Sequence, residues 1–584
     1  MSIAHSDEPT RQKPLRLWPG VVIMVVQWLG RFVVPWFGPD AALFGVMIGV
    51  FGGALALLVW WAFFSRATRA ERWGAVILMI VSLVAIRPLL HVSVRTGSMG
   101  MMVFYYAVPT LSLAFVAWAV ASRRLSAGPR FATMVATILV ACGVWTLVRN
   151  HGISFDGADL SWRWGQTAEE RLLARGPDAM TGPGALASTA GAIETGAAWP
   201  GFRGLDRAGV IPGVSIETDW SSSPPVELWR RPIGPGTSSL AVHGDLLYTQ
   251  EQRGEEEVVS CYRVATGDPV WRHSDAARFW DPYVDAGPRA TPALSGGRVY
   301  SFGATGILNA LDAVSGAIVW SRNAASDTGA EIPFWGFVSS PLVVDDLVIV
   351  HADSLVAYDA ATGDKRWTGS AVGETYSSPH LLTLDGVSQI LLLTLEGVIS
   401  VAPADGALLW EHAWPGLGVV QPAVIGDGAV GDVLVSTSNL AALPIGTRRI
   451  SVAQAGGGWT VEERWTSRGL KPSFSSVVVH QGHAYGFDGN FLAAIDVEDG
   501  TRAWKGGRYG SGQLLLLPEQ DLLLVVSERG ELALVEAKPE IFTELARFRA
   551  IEGKTWSQPT LVGDVLVVRN GKEMAAFRLA LAAG

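Results

Sequence analysis

The last two thirds of this chain repeat one short phrase, and an aromatic residue closes each copy. The clearest copy is YDAATGDKRW, Tyr358 to Trp367. Others are YRVATGDPVW (Tyr262 to Trp271), LDAVSGAIVW (Leu311 to Trp320), APADGALLW (Ala402 to Trp410) and IDVEDGTRAW (Ile495 to Trp504). Degenerate copies end at Trp465 and Phe548, and a half-copy, ELWRRP, carries Trp229. The steps between closing aromatics are 42, 49, 47, 43, 55, 39 and 44 residues. A period of that size with strand-turn-strand content predicts a β-propeller.

Each repeat carries four strand signals. A Ser/Thr-Pro phrase opens the first, as in ATPALS (290–295), SSPLVV (339–344) and SSPHLL (377–382). First strands start near Ser239, Thr291, Ser340, Ser378, Gln421, Ser476, Gln513 and Gln558, which makes eight blades. The ATG or DG hairpin leads into the fourth strand, with Gly supplying the positive φ of a tight turn. The Asp before it (Asp312, Asp359, Asp496) is placed to accept backbone N–H bonds from that turn. The closing tryptophan is expected to pack between blades. The last repeat stops after its third strand, MAAFRL (574–579), while the half-copy with Trp229 is a fourth strand without a blade. Pairing the two closes the ring and removes free sheet edges.

The first 150 residues differ. They concentrate the hydrophobic content, which reaches 49% over the chain. Five apolar runs, 18–37, 41–64, 73–92, 100–121 and 131–148, are each long enough to span a bilayer as helix. Arg11, Lys13 and Arg16 precede the first. Arg66, Arg69 and Arg72 follow the second, and Arg123, Arg124 and Arg130 follow the fourth. The loop after the first run has Asp40 and no basic residue, and the loop after the third has only Arg95. By the positive-inside rule the N-terminus is then cytoplasmic, and the repeats emerge on the far side, the periplasm of a Gram-negative bacterium. No cleavable signal is expected. Arg31, Arg87 and His91 fall within or at the edges of these runs, where a charge demands an explanation. The domain plan is a cytoplasmic N-terminus (1–17), a five-span α-helical transmembrane bundle (18–148), a linker (149–198) and an all-β eight-bladed propeller (199–584). Within the linker, Thr167 and Glu170 form a T-x-x-E capping box for a short helix at 167–175, and the Gly/Ala-rich stretch after it reads as a flexible tether.

The net charge of −9 excludes a nucleic-acid footprint. The two cysteines, Cys142 and Cys261, form neither a disulfide framework nor a CxxC. No dense acidic ligand loop occurs except Glu255-Glu256-Glu257, which reads as a solvated face.

The phrase A-x-D-x-x-T-G-x-x-x-W in an eight-fold ring resembles the PQQ-binding-like (quinoprotein alcohol dehydrogenase-like) propellers over residues 199–584. Five spans ahead of such a propeller look like the plan of the membrane-bound glucose dehydrogenases, which oxidise a sugar in the periplasm and pass electrons to ubiquinone. The same repeat is similar to the outer-membrane assembly propeller lipoproteins, scaffolds without a cofactor. Two readings follow. In one, a membrane-anchored periplasmic propeller binds a protein, peptide or glycan. In the other, it holds PQQ with calcium and dehydrogenates an alcohol or sugar, with ubiquinone in the spans. The fold does not choose between them. Catalytic members of the family are longer, with large inserts between blades, and no motif here matches their calcium ligands or catalytic Asp.

Strand direction places the hairpins at the bottom and the residues before each first strand around the channel mouth. That ring reads Thr237, Arg289, Val338, Tyr376, Val419, Phe474, Gly510 and Trp556, with Asp281, Trp335, Lys471, Tyr509 and Lys554 nearby. Loops between second and third strands add Glu251, Arg253, His351, Asp353, Glu396, Asp488 and Glu528. Arg forks, a Lys point charge and flat aromatics suit a planar polyanion such as PQQ. Arg253, Arg289, Trp335, Tyr376, Lys471 and Trp556 are therefore the expected cofactor contacts, and Asp281 and Glu251 the candidate bases. The two longest upper loops, 272–290 and 321–338, are the expected places for binding.

Overall fold

The computed structural model describes residues 16–34, 45–154, 157–176, 178–180, 198–426, 431–438 and 446–582. They form two compact units: Met1–Ile153 with Ala158–Gly165, and Ser154–Gly157 with Gln166–Gly584. Most of the expected Gly/Ala-rich tether lies outside the described residues.

In the first unit, four helices among the described residues are long and apolar enough to cross a membrane: Met47–Phe64, Arg69–Leu89, Met102–Arg124 and Ala127–Leu147. Their 18 to 23 residues reach about 27–35 Å, against a hydrocarbon core of about 30 Å. The expectation of five spans is corrected to four. The first helix is Trp18–Phe32, 15 residues, or about 22 Å.

This first helix packs closely on the second. Gly45, Gly49 and Gly53 recur every fourth residue, and a Cβ on any of them would lie within 2.4–2.8 Å of Gly30, Arg31 or Gln27. Small residues at that spacing let two backbones touch where lipid offers no hydrophobic drive. Arg31, the charge expected near mid-span, has an assignable role. Pro109 sits inside the helix Met102–Ala121 and has no N–H to give the Tyr105 carbonyl one turn back. The Arg31 Nε donates to that carbonyl at 3.3 Å, and its guanidinium lies 4.8 Å from the Tyr106 ring. Trp28 Nε1 donates to the Pro109 carbonyl at 3.2 Å. His91 caps the short helix Val92–Thr96 by accepting from Ser93 N.

The second unit is the propeller. Eight four-stranded antiparallel sheets follow one another. Blades 1 to 7 open at Ala241, Ala293, Leu342, His380, Ala423, Val478 and Gln513, and each is built from consecutive strands. Blade 8 joins Thr560–Val562, Val565–Arg569 and Glu573–Arg578 to an outer strand from far upstream, Val226–Pro232. That strand pairs with Glu573–Arg578 from Val226↔Arg578 to Pro232↔Glu573. Inner strands are buried along their whole length in several blades, as in Leu522–Val526 and Leu347–Ala352.

The repeated phrase has a local mechanical meaning. Four of the closing tryptophans lay their rings on the hairpin glycine of the next blade and donate Nε1 to the carbonyl three residues before that glycine. Trp271 bonds Ala313 O (3.1 Å), Trp320 bonds Ala360 O (3.0 Å), Trp367 bonds Pro403 O (3.1 Å) and Trp465 bonds Val497 O (3.0 Å). A Cβ on Gly316, Gly363, Gly406 or Gly500 would stand 2.4–2.7 Å from the matching ring, and all four have φ between 71° and 75°. Glycine is thus required twice, for the turn and for the ring above it. Trp229 of blade 8 makes the same dock on blade 1, to Val264 O at 2.8 Å over Gly267. Trp410 departs from the pattern and donates to Gln389 Oε1. The turn aspartates act as expected: Asp359 accepts from Ala361 N and Thr362 N, both at 2.9 Å.

Candidate functional site at the channel mouth

Hydroxyl and amide side chains at the start of each first strand stitch neighbouring blades together around the channel. Gln558 N donates to Ser239 Oγ (2.7 Å), Ser239 N to Thr291 Oγ1 (3.1 Å), Thr291 N to Ser340 Oγ (3.0 Å) and Ser340 N to Ser378 Oγ (2.9 Å). Ser378 N reaches the Gln421 amide oxygen (3.0 Å) when that amide is turned toward it, and Gln421 N donates to Ser476 Oγ (3.1 Å). The Ser/Thr/Gln signature of the first strand therefore satisfies buried N–H groups across each blade junction.

Above this belt lies a cup of about 180 Å³. Seven of the eight residues expected at the mouth line it: Thr237, Arg289, Val338, Tyr376, Val419, Phe474 and Trp556. Gly510 does not. Trp335 joins them, 4.7 Å from the Tyr376 ring, and Phe474 faces Trp556 at 4.7 Å. Tyr283 lies edge-on to Trp335 at 6.2 Å, with Phe334 at the rim 53% exposed. The walls are thus mainly aromatic.

The charged candidates are engaged elsewhere. Arg289 and Asp281 form an ion pair with side chains 4% and 2% exposed. Arg289 also donates to Asp285 O (2.7 Å), while the other Asp281 oxygen accepts from Tyr283 N (2.8 Å) and Val284 N (2.9 Å). The pair shapes the loop 281–289 from behind the wall. Glu251 and Arg253 do not line the cup. Glu251 is fully buried and accepts from Gly234 N, Ser260 Oγ and Tyr262 OH at 2.6–2.7 Å. Burial alone would raise its pKa, but Arg253, Arg272 and these donors hold it down at about 2. Lys471 is also off the cup and pairs with Asp488 at 3.0 Å. Trp556 anchors its indole on Glu528 Oε1 at 2.9 Å. Lys554 lies 4.5 Å over the Trp556 ring and donates to Tyr283 O (2.7 Å), and burial lowers its pKa to about 8.

The floor of the cup is a feature that the repeats do not announce. Phe202 lines it, and Phe202 belongs to an N-terminal segment that crosses the channel. Trp199 bridges to Val242 of blade 1, Pro200 O accepts from Leu294 N of blade 2, and Ile211 N donates to Leu516 O of blade 7. Two buried arginines bolt it in place. Arg207 donates to the carbonyls of Ser340, Pro341 and Pro379, and Arg203 to those of Arg207, Ala208 and Val477. Burial lowers the pKa of Arg207 to about 9 and of Arg203 to about 10, so both stay cationic at neutral pH. His380 donates a ring N–H to Asp206 O at 2.8 Å in its neutral form. Burial, with Arg207 and Arg203 nearby, lowers its pKa to about 3. The WPGFRG phrase was the available signal, but nothing in its pattern says that it fills a channel.

The acidic run also needs correction. Glu255 and Glu256 are exposed, but Glu257 is buried and accepts from Ala304 N at 3.1 Å. Glu257 begins the stretch of the strand Glu256–Arg263 that is buried on both faces, from Glu257 to Tyr262.

These residues do not fit PQQ with calcium. Calcium takes six to eight oxygens, and among the described residues no three His, Cys, Asp or Glu gather as ligands. Arg289, the only guanidinium on the cup wall among the described residues, already has an internal carboxylate. The cup volume is also below the range of about 300–1,000 Å³ usual for small-molecule sites.

The family model described as "Outer membrane protein assembly factor BamB" (PQQ_2) matches residues 255–506 and 396–580. The chain is 23% identical over 343 residues to outer membrane protein assembly factor BamB of Yersinia pestis, covering 55% of this chain and 72% of that protein. It is 25% identical over 332 residues to the Shewanella oneidensis protein of the same name, covering 53% and 77%. Among solved structures it is similar to BamB from Moraxella catarrhalis (15% identity, TM-score 0.43, covering 61% of this chain and all of that one). It is also similar to quinohemoprotein alcohol dehydrogenase from Comamonas testosteroni (13% identity, TM-score 0.49, covering 69% and 85%).

Proposed function

We propose, from the premise that this chain belongs to the PQQ_2 family, that its propeller is a membrane-tethered docking platform for a protein partner. The observation that carries this reading is the cup: aromatic walls, a floor closed by Phe202, and charged neighbours already paired within the wall. Such a site suits an apolar or aromatic side chain presented by a protein, and the exposed Phe334 and Ile332 extend apolar surface beyond the rim. Relatives named as outer membrane protein assembly factors support a partner that is itself a protein in the course of assembly.

The propeller is proposed to lie in the periplasm of a bacterial cell, anchored in the inner membrane. Arg66, Arg69 and Arg72 lie at the junction of the first two spanning-length helices, the last two of them in the first turn of the second helix, and Arg123, Arg124 and Arg130 lie at the facing ends of the last two. Both clusters belong on the cytoplasmic side, so the chain after Leu147 emerges opposite them whether or not Trp18–Phe32 crosses. A cytoplasmic N-terminus additionally requires that first helix to cross. Within the propeller, the strand Val226–Pro232 is proposed to close the ring, its pairing with blade 8 and the Trp229 dock on blade 1 being the supporting contacts.

The test uses a photo-crosslinking residue in place of Val338 at the cup, with Thr362 on a bottom hairpin as the control position. Adducts with a defined protein at 338 and none at 362 are expected. In parallel, PQQ with calcium is titrated into the purified chain. No change in absorbance or unfolding temperature is expected at micromolar cofactor, while a saturable shift with dye reduction would replace docking by dehydrogenation.

A further inference from the structure

A second cavity, of about 490 Å³, lies in the propeller unit between the helix Ala168–Leu173 and the outer strand of blade 8. Five of its lining residues are cationic (Arg171, Arg175, Arg230, Arg231, Lys572) and two are acidic (Glu552, Glu573). The helix is held by its capping box, Glu170 N to Thr167 Oγ1 at 2.9 Å and Thr167 N to Glu170 Oε2 at 2.6 Å. Arg171 in the last turn of the helix and Arg175 just beyond its C-cap both line the cavity.

The internal partners leave positive charge over. Arg230 is matched by Glu227 at 2.7 Å and Glu573 at 3.3 Å, and Glu573 also accepts from Glu552 N at 2.9 Å. Arg231 pairs with Asp178 at 3.2 Å, yet its buried Nε has no acceptor. Among the described residues, Arg171 and Arg175 enter no ion pair; Arg171 donates only to the Gln166 carbonyl, at 2.6 Å. Several guanidinium forks around one concavity match the geometry of a phosphate group.

We propose that this cavity binds a phosphate group, carried either by an anionic lipid headgroup or by a free phosphate ion. It is independent of the cup at the channel mouth.

The full chain in a neutral maltoside detergent is titrated with inorganic phosphate, and separately with dioctanoyl phosphatidylglycerol, following ³¹P linewidth and unfolding temperature. Wild type is expected to saturate with at least one probe. The double variant Arg171→Gln/Arg175→Gln should weaken that binding by about fivefold or more. A charge-matched control, Arg322→Gln/Arg464→Gln, should leave it unchanged. Saturation by phosphate points to a soluble source, and saturation by the lipid alone to a headgroup. The proposal is overturned if neither probe saturates, or if the two double variants lose affinity equally.

Discussion

Glu257 and His380 pull the stability of the propeller in opposite directions as pH changes. Burial raises the Glu257 pKa to about 7, against the Ala304 N–H that lowers it and with Asp275 adding to the rise. Between about 4.5 and 7 the folded state therefore holds a proton that the unfolded state has lost, and stability falls as pH rises through that window. Burial lowers the pKa of His380 to about 3 and of His351 to about 4. Below about 6.5 the unfolded state binds protons that these folded histidines refuse, so stability falls as pH drops. The two slopes oppose each other from about pH 4.5 to 6.5. Glu257→Gln keeps the shape and the Ala304 contact while removing the charge. It should raise stability at pH 8 by on the order of 2 kcal/mol and leave the histidine slope uncovered below pH 6.5. Chemical unfolding curves at pH 5, 6.5 and 8 measure this, and an unchanged gap between pH 5 and pH 8 would refute it. The burial of Glu257 follows from its strand being covered on both faces, which three adjacent glutamates hid behind their shared polarity.

The helical unit turns on a pairing between two elements. Pro109 breaks one hydrogen bond in its own helix, and the first helix supplies Arg31 to the carbonyl left open. A free carbonyl in hydrocarbon costs more than one in water, so the arginine is tolerated where a charge is otherwise expensive. The pairing predicts a coupled double-mutant cycle. Arg31→Met should destabilise the unit by about 1–2 kcal/mol with Pro109 present. In a Pro109→Ala background, where residue 109 donates its own N–H, the same change should cost much less. Thermal unfolding in detergent of the four proteins gives the coupling, and additive losses would dismiss it. Spans could be placed from hydropathy, but Arg31 could not be interpreted, since its partner lies 74 residues away. The first helix was misjudged because hydropathy runs on past Phe32, where the helix ends. The blades were far more legible, because tryptophan, glycine and aspartate repeat at fixed offsets and each offset is one contact. The cup was legible only as a ring of positions. Which charges were free to act depended on Asp281 meeting Arg289 and on Glu251 turning toward Arg272, contacts that no repeat encodes.

At the scale of the molecule, two segments upstream of the first full repeat pack against the repeating blades. The segment around Trp199–Ile211 fills the channel and ties blades to one another through backbone carbonyls, and Val226–Pro232 supplies the outer strand of blade 8. A propeller without that strand would leave Glu573–Arg578 with an open edge and blade 1 without the Trp229 ring on Gly267. Trp229→Ala removes the dock and leaves the strand, whereas Trp320→Ala removes an equivalent dock inside the array. Loss of a large aromatic from either junction should cost about 2–4 kcal/mol. If Val226–Pro232 closes the ring, the two variants differ in where the damage appears. Trp320→Ala should loosen blades 2 and 3, because Trp320 lies on Gly363. Trp229→Ala should speed amide exchange at both ends of the array at once, in 560–578 of blade 8 and in 246–263 of blade 1. Blade 4, at 387–401, should stay protected. Exchange that rises only within the hairpin around Gly267, with 560–578 unaffected, would mean that the strand decorates the ring without holding it.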